Sequence, residues 1–437
     1  MVRPKGDASR RRTAAASRGV RRGRETAKRQ VAWQGDAPRW MLIRPNWSTA
    51  DGGHQPAGAL LTHLEGSLSS PLFTHGFCRG AGKNWVQVRP KDLPCLLVQR
   101  VARLRGKETL DQGFLRFLIG NPAFRDYVHR VRTGTSIPHI SGGQIKSYQI
   151  RLPPLSQQKR IAHILGTLDD KIDLNRRMNA TLEAMSRAIF KSWFVDFDSV
   201  RSKAAGRQPE GMDAETAALF PDSFEESEIG EVPEGWGCVT LPDLVDINPP
   251  RLLRKGDDAA YLDMAGVPTQ GHTPDELVVR PFGSGSRFQN GDTLLARITP
   301  CLENGKTAYV DFLNAGQVAW GSTEFIVLSP KPPLPSEYGY CLARDESFRE
   351  FAIQSMTGSS GRQRVPVEAL GHFRVASPPS EIALRFGRNV SPLFHHARLL
   401  ADEIVTLATL RDTLLPKLLS GEVRVPEAEK AVEEAVG

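Results

Sequence analysis

Cysteine is scarce in this chain, and so are the patterns that accompany metal sites and membrane anchors. Its five cysteines are scattered, with no Cys-x-x-Cys pair and no histidine spacing suited to zinc. We therefore expect a reduced, cytoplasmic protein with no metal site. No run of 18 apolar residues is present, which argues against a membrane span. The N-terminal residues lack the apolar segment of a secretory signal, so we expect none.

Acidic residues are rare only at the start of the chain. The first 30 residues hold 11 basic and 2 acidic side chains, whereas the whole chain has a net charge of +8. The remainder is therefore close to neutral. A nucleic-acid-binding body is more often basic overall, so composition alone argues mildly against DNA binding.

Catalytic signatures are also missing. Residues 248–250 (Asn-Pro-Pro) resemble a methyltransferase motif, but Arg251 follows where an aromatic ring should stack on the base, and no glycine-rich loop for a methyl donor precedes it. Residues 80–83 resemble a phosphate loop, but Phe77 and Asn84 replace its first glycine and its final hydroxyl residue. We expect no catalytic residues and no cofactor.

What the chain does contain is an internal repeat. Residues 133–136 (Thr-Gly-Thr-Ser) precede a strand-like segment, the pair Pro153-Pro154 and a long helical pattern. Residues 357–360 (Thr-Gly-Ser-Ser) precede the same succession around Pro378-Pro379. A duplicated unit is typical of a protein whose target also has two halves.

Both helical patterns place apolar residues at alternating spacings of four and three. The matched register predicts that the two helices pack as a coiled coil, although each helix could instead cover its own sheet. Asn175 and Asn179 interrupt the first seam and could fix its register. The predicted interface residues are Ile161, Leu165, Leu168, Ile172, Leu182, Ile189, Val390, Leu393, Leu400, Ile404, Leu407, Leu414 and Leu418.

Each pattern also carries a possible break. Gly166-Thr167 in the first helix corresponds to Ser391-Pro392 in the second, and proline favours a helix start over a helix interior. We expect a short helix, a kink and a main helix over 167–194 and 392–419. Each main helix would span about 42 Å.

The surrounding segments suggest the domain limits. Residues 1–95 are basic and weakly patterned, and three interpretations remain open: a divergent domain, a disordered arm that grips phosphates, or a shifted reading frame. The full division is an atypical basic segment at 1–95, the end of a first domain at 96–154, a helix at 155–196, a linker at 197–234, a second domain at 235–379, a helix at 380–422 and a disordered tail at 423–437.

Several motifs, in order, resemble one known family. They lie at 137–141, 152–155 (Leu-Pro-Pro-Leu), 157–162, 168–175, 193–198, 206–209, 211–213 and 407–421. This stretch is similar to the specificity subunits of type I restriction–modification enzymes. The first 95 residues do not follow the family's pattern.

The resemblance implies an α/β (α+β) architecture with two target-recognition domains separated by two long antiparallel helices. It also implies a non-catalytic subunit that reads a split site on double-stranded DNA. Such a subunit docks two adenine-methylating subunits along its helices, and restriction and translocase subunits join that core.

Other hypotheses remain open. The chain could be a scaffold that only assembles partner subunits, or a free-standing methyltransferase. For DNA contact we predict basic residues of the second domain, since arginine and lysine are the usual ligands of guanine edges and phosphates. The candidates are Arg251, Arg254, Lys255, Arg287, Arg297 and Lys306.

Overall fold

The computed structural model describes short strands at 55–56, 74–78 and 85–88, and the stretches 101–133, 140–274, 277–359 and 361–436. The expectations for residues 1–95 therefore lie almost wholly outside the described residues, as do those for the motif at 80–83.

The end of the first domain is built from short strands and capped helices. Asp111 caps the first helix by accepting a hydrogen bond from the Phe114 amide at 2.9 Å, and Ser141 forms a capping box with Gln144. One sheet has the order β3-β2-β4, and β1 pairs with β5. The elements are β1 (Gln55–Pro56), β2 (Thr74–Cys78), β3 (Trp85–Val88), β4 (Val101–Leu104), α1 (Gln112–Gly120), α2 (Pro122–Val131), α3 (Gly142–Lys146) and β5 (Gln149–Ile150).

A single helix, α4 (Leu155–Phe194), follows the Pro153-Pro154 pair. Proline disfavours a helical conformation in the residue before it, which helps fix where the helix begins. The 40 residues of α4 span about 60 Å.

The segment after α4 is folded. It contains α5 (Asp198–Ala204), α6 (Ala214–Ala218), β6 (Phe224–Ser227) and β7 (Gly230–Pro233). The expectation of a linker over 197–234 is therefore wrong as a description of this segment. Three of its apolar residues, Val200, Phe220 and Val232, are buried in the same core as the second domain, and this burial opposes the entropy cost of ordering the chain.

The second domain contains two four-stranded sheets, with the orders β14-β13-β16-β9 and β11-β10-β15-β12, and a pair β17-β8. The pair β10–β15 is parallel and the other pairs are antiparallel. Its elements are β8 (Gly237–Thr240), α7 (Leu241–Leu244), β9 (Val245–Ile247), β10 (Asp258–Leu262), β11 (Val278–Pro281), β12 (Ser286–Gln289), β13 (Thr293–Ala296), β14 (Thr307–Tyr309), β15 (Val318–Gly321), β16 (Phe325–Pro330), α8 (Glu337–Arg344), α9 (Glu346–Gln354), α10 (Val367–Leu370) and β17 (Arg374–Ser377).

The chain ends with a second long helix, α11 (Ser380–Ser420), and a short helix, α12 (Val425–Val436). The expectation of a disordered tail is therefore wrong for 425–436. Val425, Ala428 and Val432 form an apolar face that is buried against the first domain and α4. The tail is short and carries many charges, so this apolar face was not recognised in the sequence.

The expected kinks do not interrupt either long helix. Gly166 lies inside α4 and Pro392 inside α11. A proline in a helix interior costs about 3 kcal/mol. Val390 and Phe394, on either side of Pro392, are buried, and each such side chain contributes about 1.5–3 kcal/mol. Tertiary packing therefore outweighs the local preference.

The repeat is visible in the fold. Leu155 and Ser380, which begin the two long helices, lie 225 positions apart, and each long helix leads into a short helix, α5 or α12. The two long helices pack together, as predicted, and the mixed α/β class is confirmed. Two apolar cores lie along the pair: a first core with α1, α2 and α12, and a second core with α8 and the second domain.

Candidate nucleic-acid interface and partner-docking helices

The helix pair is antiparallel, and its first core lies near the start of α4. There, α4 residues pack against residues from the end of α11. This core contains eight of the predicted interface residues: Ile161, Leu165, Leu168, Ile172, Ile404, Leu407, Leu414 and Leu418. Ile404 is partly buried, and the other seven side chains are buried.

The end of α4 meets the start of α11 in the second core. Phe190 and Trp193 stack edge-on or tilted against Phe386, with ring centroids 6.2 and 6.0 Å apart. Val390 is buried there and Ile189 packs against the cluster. The sequence pattern assigned Ile189 to the seam but did not identify Phe190, which is more deeply buried.

The middle of the helix pair is less apolar. Leu400 is buried, whereas Leu182 and Leu393 are only half-buried. Asn175 is buried, and its Nδ2 has no hydrogen-bond partner among the described residues. A buried polar group without a partner weakens packing, so the two apolar ends stabilise the pair more than its centre does.

Ion pairs join the helices beside the first core. Asp169 accepts from Arg411 Nη1 at 2.7 Å and lies 3.1 Å from Arg116 Nη2 of α1. Lys171 lies 3.3 Å from Glu403. Asp169 therefore links both long helices to the first domain.

A buried polar network attaches the second domain to α4. Tyr340 Oη donates to Glu183 Oε1 at 2.8 Å, and Arg344 Nε donates to Tyr340 Oη at 3.0 Å. Burial raises the pKa of Tyr340 well above its ordinary value, so the phenol stays protonated and can donate.

The same arginine holds the domain's loops. Its Nη1 donates to the carbonyls of Thr269 and Gly305, both at 2.8 Å, and its Nη2 donates to those of Gly271 and Thr307. Sequence reasoning missed this network because its members are far apart in the chain. The only sequence signal for this network was the spacing of Tyr340 and Arg344, one helical turn apart.

Three of the six predicted DNA-contact residues are engaged inside the protein. Arg251 makes two hydrogen bonds to the buried carboxylate of Asp292, at 3.1 and 2.6 Å. The Lys306 amine donates to the carbonyls of Met264 and Ala265. The Nε of Arg297 is buried and has no hydrogen-bond partner in the described part of the chain. Arg251 and Lys306 therefore stabilise the domain and have little donor capacity left for DNA.

The other three candidates are accessible. Arg254 and Lys255 are exposed on the loop before β10. Arg287 on β12 is half-buried, with its guanidinium 5.8 Å from the centre of the Phe282 ring. The structure therefore does not gather all six residues into one patch.

The methyltransferase-like motif has a structural explanation. Asn248 adopts a left-handed conformation with φ of 52°. Its amide donates to the Val327 carbonyl at 2.7 Å, and its Oδ1 accepts from the Val327 amide at 2.9 Å. Asparagine tolerates this conformation better than most residues, so the motif marks the end of a strand.

Other chemistry is not evident in the described residues. No group of three or more His, Cys, Asp or Glu side chains there could hold a metal ion. His395 and His396 are exposed on α11. None of the described helices is long and apolar enough to cross a membrane.

Comparison with known proteins agrees with the sequence motifs. Residues 85–184 match the model of the "Type I restriction modification DNA specificity domain" family. The chain is 27% identical to the HindI specificity subunit of Haemophilus influenzae, over 67% of this chain and 72% of that protein. It is 22% identical to the MjaIX specificity subunit of Methanocaldococcus jannaschii, over 74% of this chain and 71% of that protein.

A solved structure is also similar. It is the S subunit of a type I restriction–modification system from M. genitalium, with 15% identity and a TM-score of 0.45, over 86% of this chain and 99% of that chain.

The family model and both relatives are of one class, the specificity subunits of type I restriction enzymes. The helix pair and the ordered motifs agree with this class. The chain is therefore similar to the specificity subunits of type I restriction–modification enzymes.

Proposed function

We propose that this chain directs the modification and restriction subunits of a type I complex to a bipartite site on double-stranded DNA. The observation that carries the proposal is the antiparallel helix pair, in which each helix has one end in the first core and the other in the second. Two domains held by such a rod keep a fixed separation, which suits two half-sites with an unread gap between them.

The length of the rod is compatible with this geometry. A helix of 40 residues spans about 60 Å, whereas half-sites one turn of B-DNA apart are separated by about 34–36 Å. The domains can therefore reach successive turns on one side of the duplex. The complex would act in the cytoplasm, and this subunit would need no cofactor of its own.

Partner docking is proposed for the outer faces of the helices. Leu174 on α4 and Leu399 on α11 are 46% and 54% exposed, and they occupy equivalent positions of the repeat, 225 residues apart. Exposed apolar side chains on long helices suit contact with other proteins. Equivalent positions on two helices fit two copies of the modification subunit.

The function is tested by expressing the chain with its modification subunit in a host without adenine methylation. Sequencing that detects methylated adenines should reveal one motif with two specified halves and a fixed gap. A contiguous or single-sided motif contradicts the proposal. A complex that assembles but methylates no preferred sequence supports the scaffold alternative.

Docking is tested separately with Leu174→Glu and Leu399→Glu. Native mass spectrometry should show that each variant loses affinity for one modification subunit, because a charge replaces an apolar contact. Leu252→Glu is the control, since Leu252 is 94% exposed but lies in the second domain. Unchanged stoichiometry and affinity in both helix variants would count against this surface.

A further inference from the structure

One face of the sheet β11-β10-β15-β12 carries a row of arginine and aromatic side chains. The opposite face is core, formed by Ala260, Leu262, Phe288 and Ala319. Since side chains alternate along a strand, neighbouring residues point the other way. They are Arg280 on β11, Tyr261 on β10, Trp320 on β15 and Arg287 on β12.

Strand register brings these side chains together. Tyr261 is opposite Trp320, and Trp320 is opposite Arg287. The Arg280 guanidinium lies 4.6 Å from the centre of the Tyr261 ring, whose centre is 4.5 Å from that of Trp320. Phe282 completes the row, 5.4 Å from Trp320 and within 5.8 Å of the Arg287 guanidinium.

The aromatic rings restrain both arginines while leaving their charges available. Neither Arg280 nor Arg287 takes part in an ion pair within the described residues, and Arg280 is exposed. Stacking on aromatic rings reduces the rotamer freedom that a long side chain loses on binding. This differs from Arg251, whose charge is neutralised by Asp292.

Charges of both signs lie on the neighbouring loop. Arg254 and Lys255 are exposed on the loop that leads into β10, and the exposed carboxylates of Asp257 and Asp258 offset their charge. The Asp257 carboxylate also accepts a hydrogen bond from the Arg254 amide at 2.9 Å. The positive charge of the row therefore comes from Arg280 and Arg287.

The spacing of the two arginines suits a DNA groove. β11 and β12 are separated by two intervening strands, so their backbones lie about 14 Å apart at the usual strand spacing. The major groove of B-DNA is about 12 Å wide. Flexible arginine side chains can accommodate the difference.

We propose that this row contacts the DNA phosphates on both sides of one groove, with Arg280 on one strand and Arg287 on the other. The inference rests on the proposed function, which it deepens by naming the surface of the second domain that faces DNA. The row then positions the domain, and the base contacts come from neighbouring loops. Only Arg287 belongs to the set predicted from sequence.

The test uses the full chain assembled with its modification subunit and a labelled 30-base-pair duplex of random sequence. Affinity is measured from 50 to 300 mM salt for the wild type, Arg280→Gln and Arg287→Gln. Each substitution removes one phosphate contact, so the slope of log affinity against log salt should fall by about one. At 100 mM salt, affinity should fall about five- to tenfold.

Two kinds of control keep the result interpretable. Arg207→Gln removes the same charge from an exposed residue outside the row and should leave slope and affinity unchanged. Arg280→Lys and Arg287→Lys retain the charge and should restore most of the slope. A melting temperature within 2 °C of the wild type shows that a variant is folded.

The outcomes separate the two proposals. If Arg280→Gln and Arg287→Gln behave like Arg207→Gln, the row does not face DNA, whatever methylation motif the wild type produces. If they prevent assembly with the modification subunit while the chain alone binds duplex normally, the row is a protein contact and the inference is wrong. If both substitutions lower the salt slope but the wild-type complex methylates no preferred motif, the result supports DNA contact by the row and contradicts the bipartite function.

Discussion

Asp169 on α4 accepts a hydrogen bond from Arg411 on α11 at 2.7 Å, and Asp170 beside it is exposed to solvent. Adjacent residues of the same type therefore have different roles. The first joins both long helices to Arg116 of the first domain, whereas the second makes no ion pair in the described part of the chain.

This contrast gives a matched pair of substitutions. Asp169→Asn should lower the free energy of unfolding by about 1–3 kcal/mol, because it weakens charged hydrogen bonds between partly buried groups. Asp170→Asn should change it by less than about 0.5 kcal/mol. Urea denaturation of both variants measures the difference, and equal effects would show that the ion pair contributes nothing.

The helix seam should tolerate charge unevenly along its length. Leu407 is 1% exposed in the first core, so Leu407→Asp should cost about 4 kcal/mol from a lost apolar contact and a buried charge. Leu182 is half-buried in the middle of the pair, and Leu182→Asp should cost about 1 kcal/mol. Thermal unfolding compares the two, and similar losses would contradict the uneven packing.

The docking of α12 should depend on pH. Hydrogen bonds from Arg160 hold the pKa of Glu429 below its ordinary range, and those from the Arg424 amide and side chain do the same for Glu427. A depressed folded-state pKa contributes stability that is present above the ordinary glutamate pKa and is lost as pH falls through the lower folded value. Docking should therefore weaken as pH falls below about 4.3.

Hydrogen exchange of residues 425–436 at pH 6 and at successively lower pH measures this effect. Glu429→Gln should remove part of the pH dependence and lower protection at pH 6. Glu433→Gln is the control, because Glu433 is exposed. Protection that does not change between these pH values, with the rest of the chain folded, would argue against the contribution of the Arg160–Glu429 pair.

Gly321 should resist substitution because its strand lies close to its neighbour. A Cβ there would lie 2.6 Å from the Leu262 carbonyl oxygen, a backbone atom, and equally close to the Phe325 ring. Gly321→Ala should therefore cost about 2 kcal/mol or more and distort the row beside Trp320. Gly283→Ala, where a Cβ meets nothing within 4 Å, should be nearly neutral. Thermal melts and DNA affinity of the two variants provide the comparison.

The sequence determined the helix pair. Two apolar patterns in the same register can bury their seams most simply against each other, and the structure packs them so. It also determined the mixed α/β class and the resemblance to specificity subunits, because the motifs are local strings of residues in a fixed order. These features depend on spacing along the chain, which can be read without coordinates.

Only the tertiary structure decided which charges are available. Arg251 and Arg287 look alike in the sequence, yet one is neutralised by Asp292 and the other lies beside Phe282. The same holds for Pro392, which continues a helix because buried neighbours outweigh its local cost, and for the tail, which buries three of its apolar residues in the core that includes α4. Burial and ion pairing depend on residues distant in sequence, so no local pattern could show them.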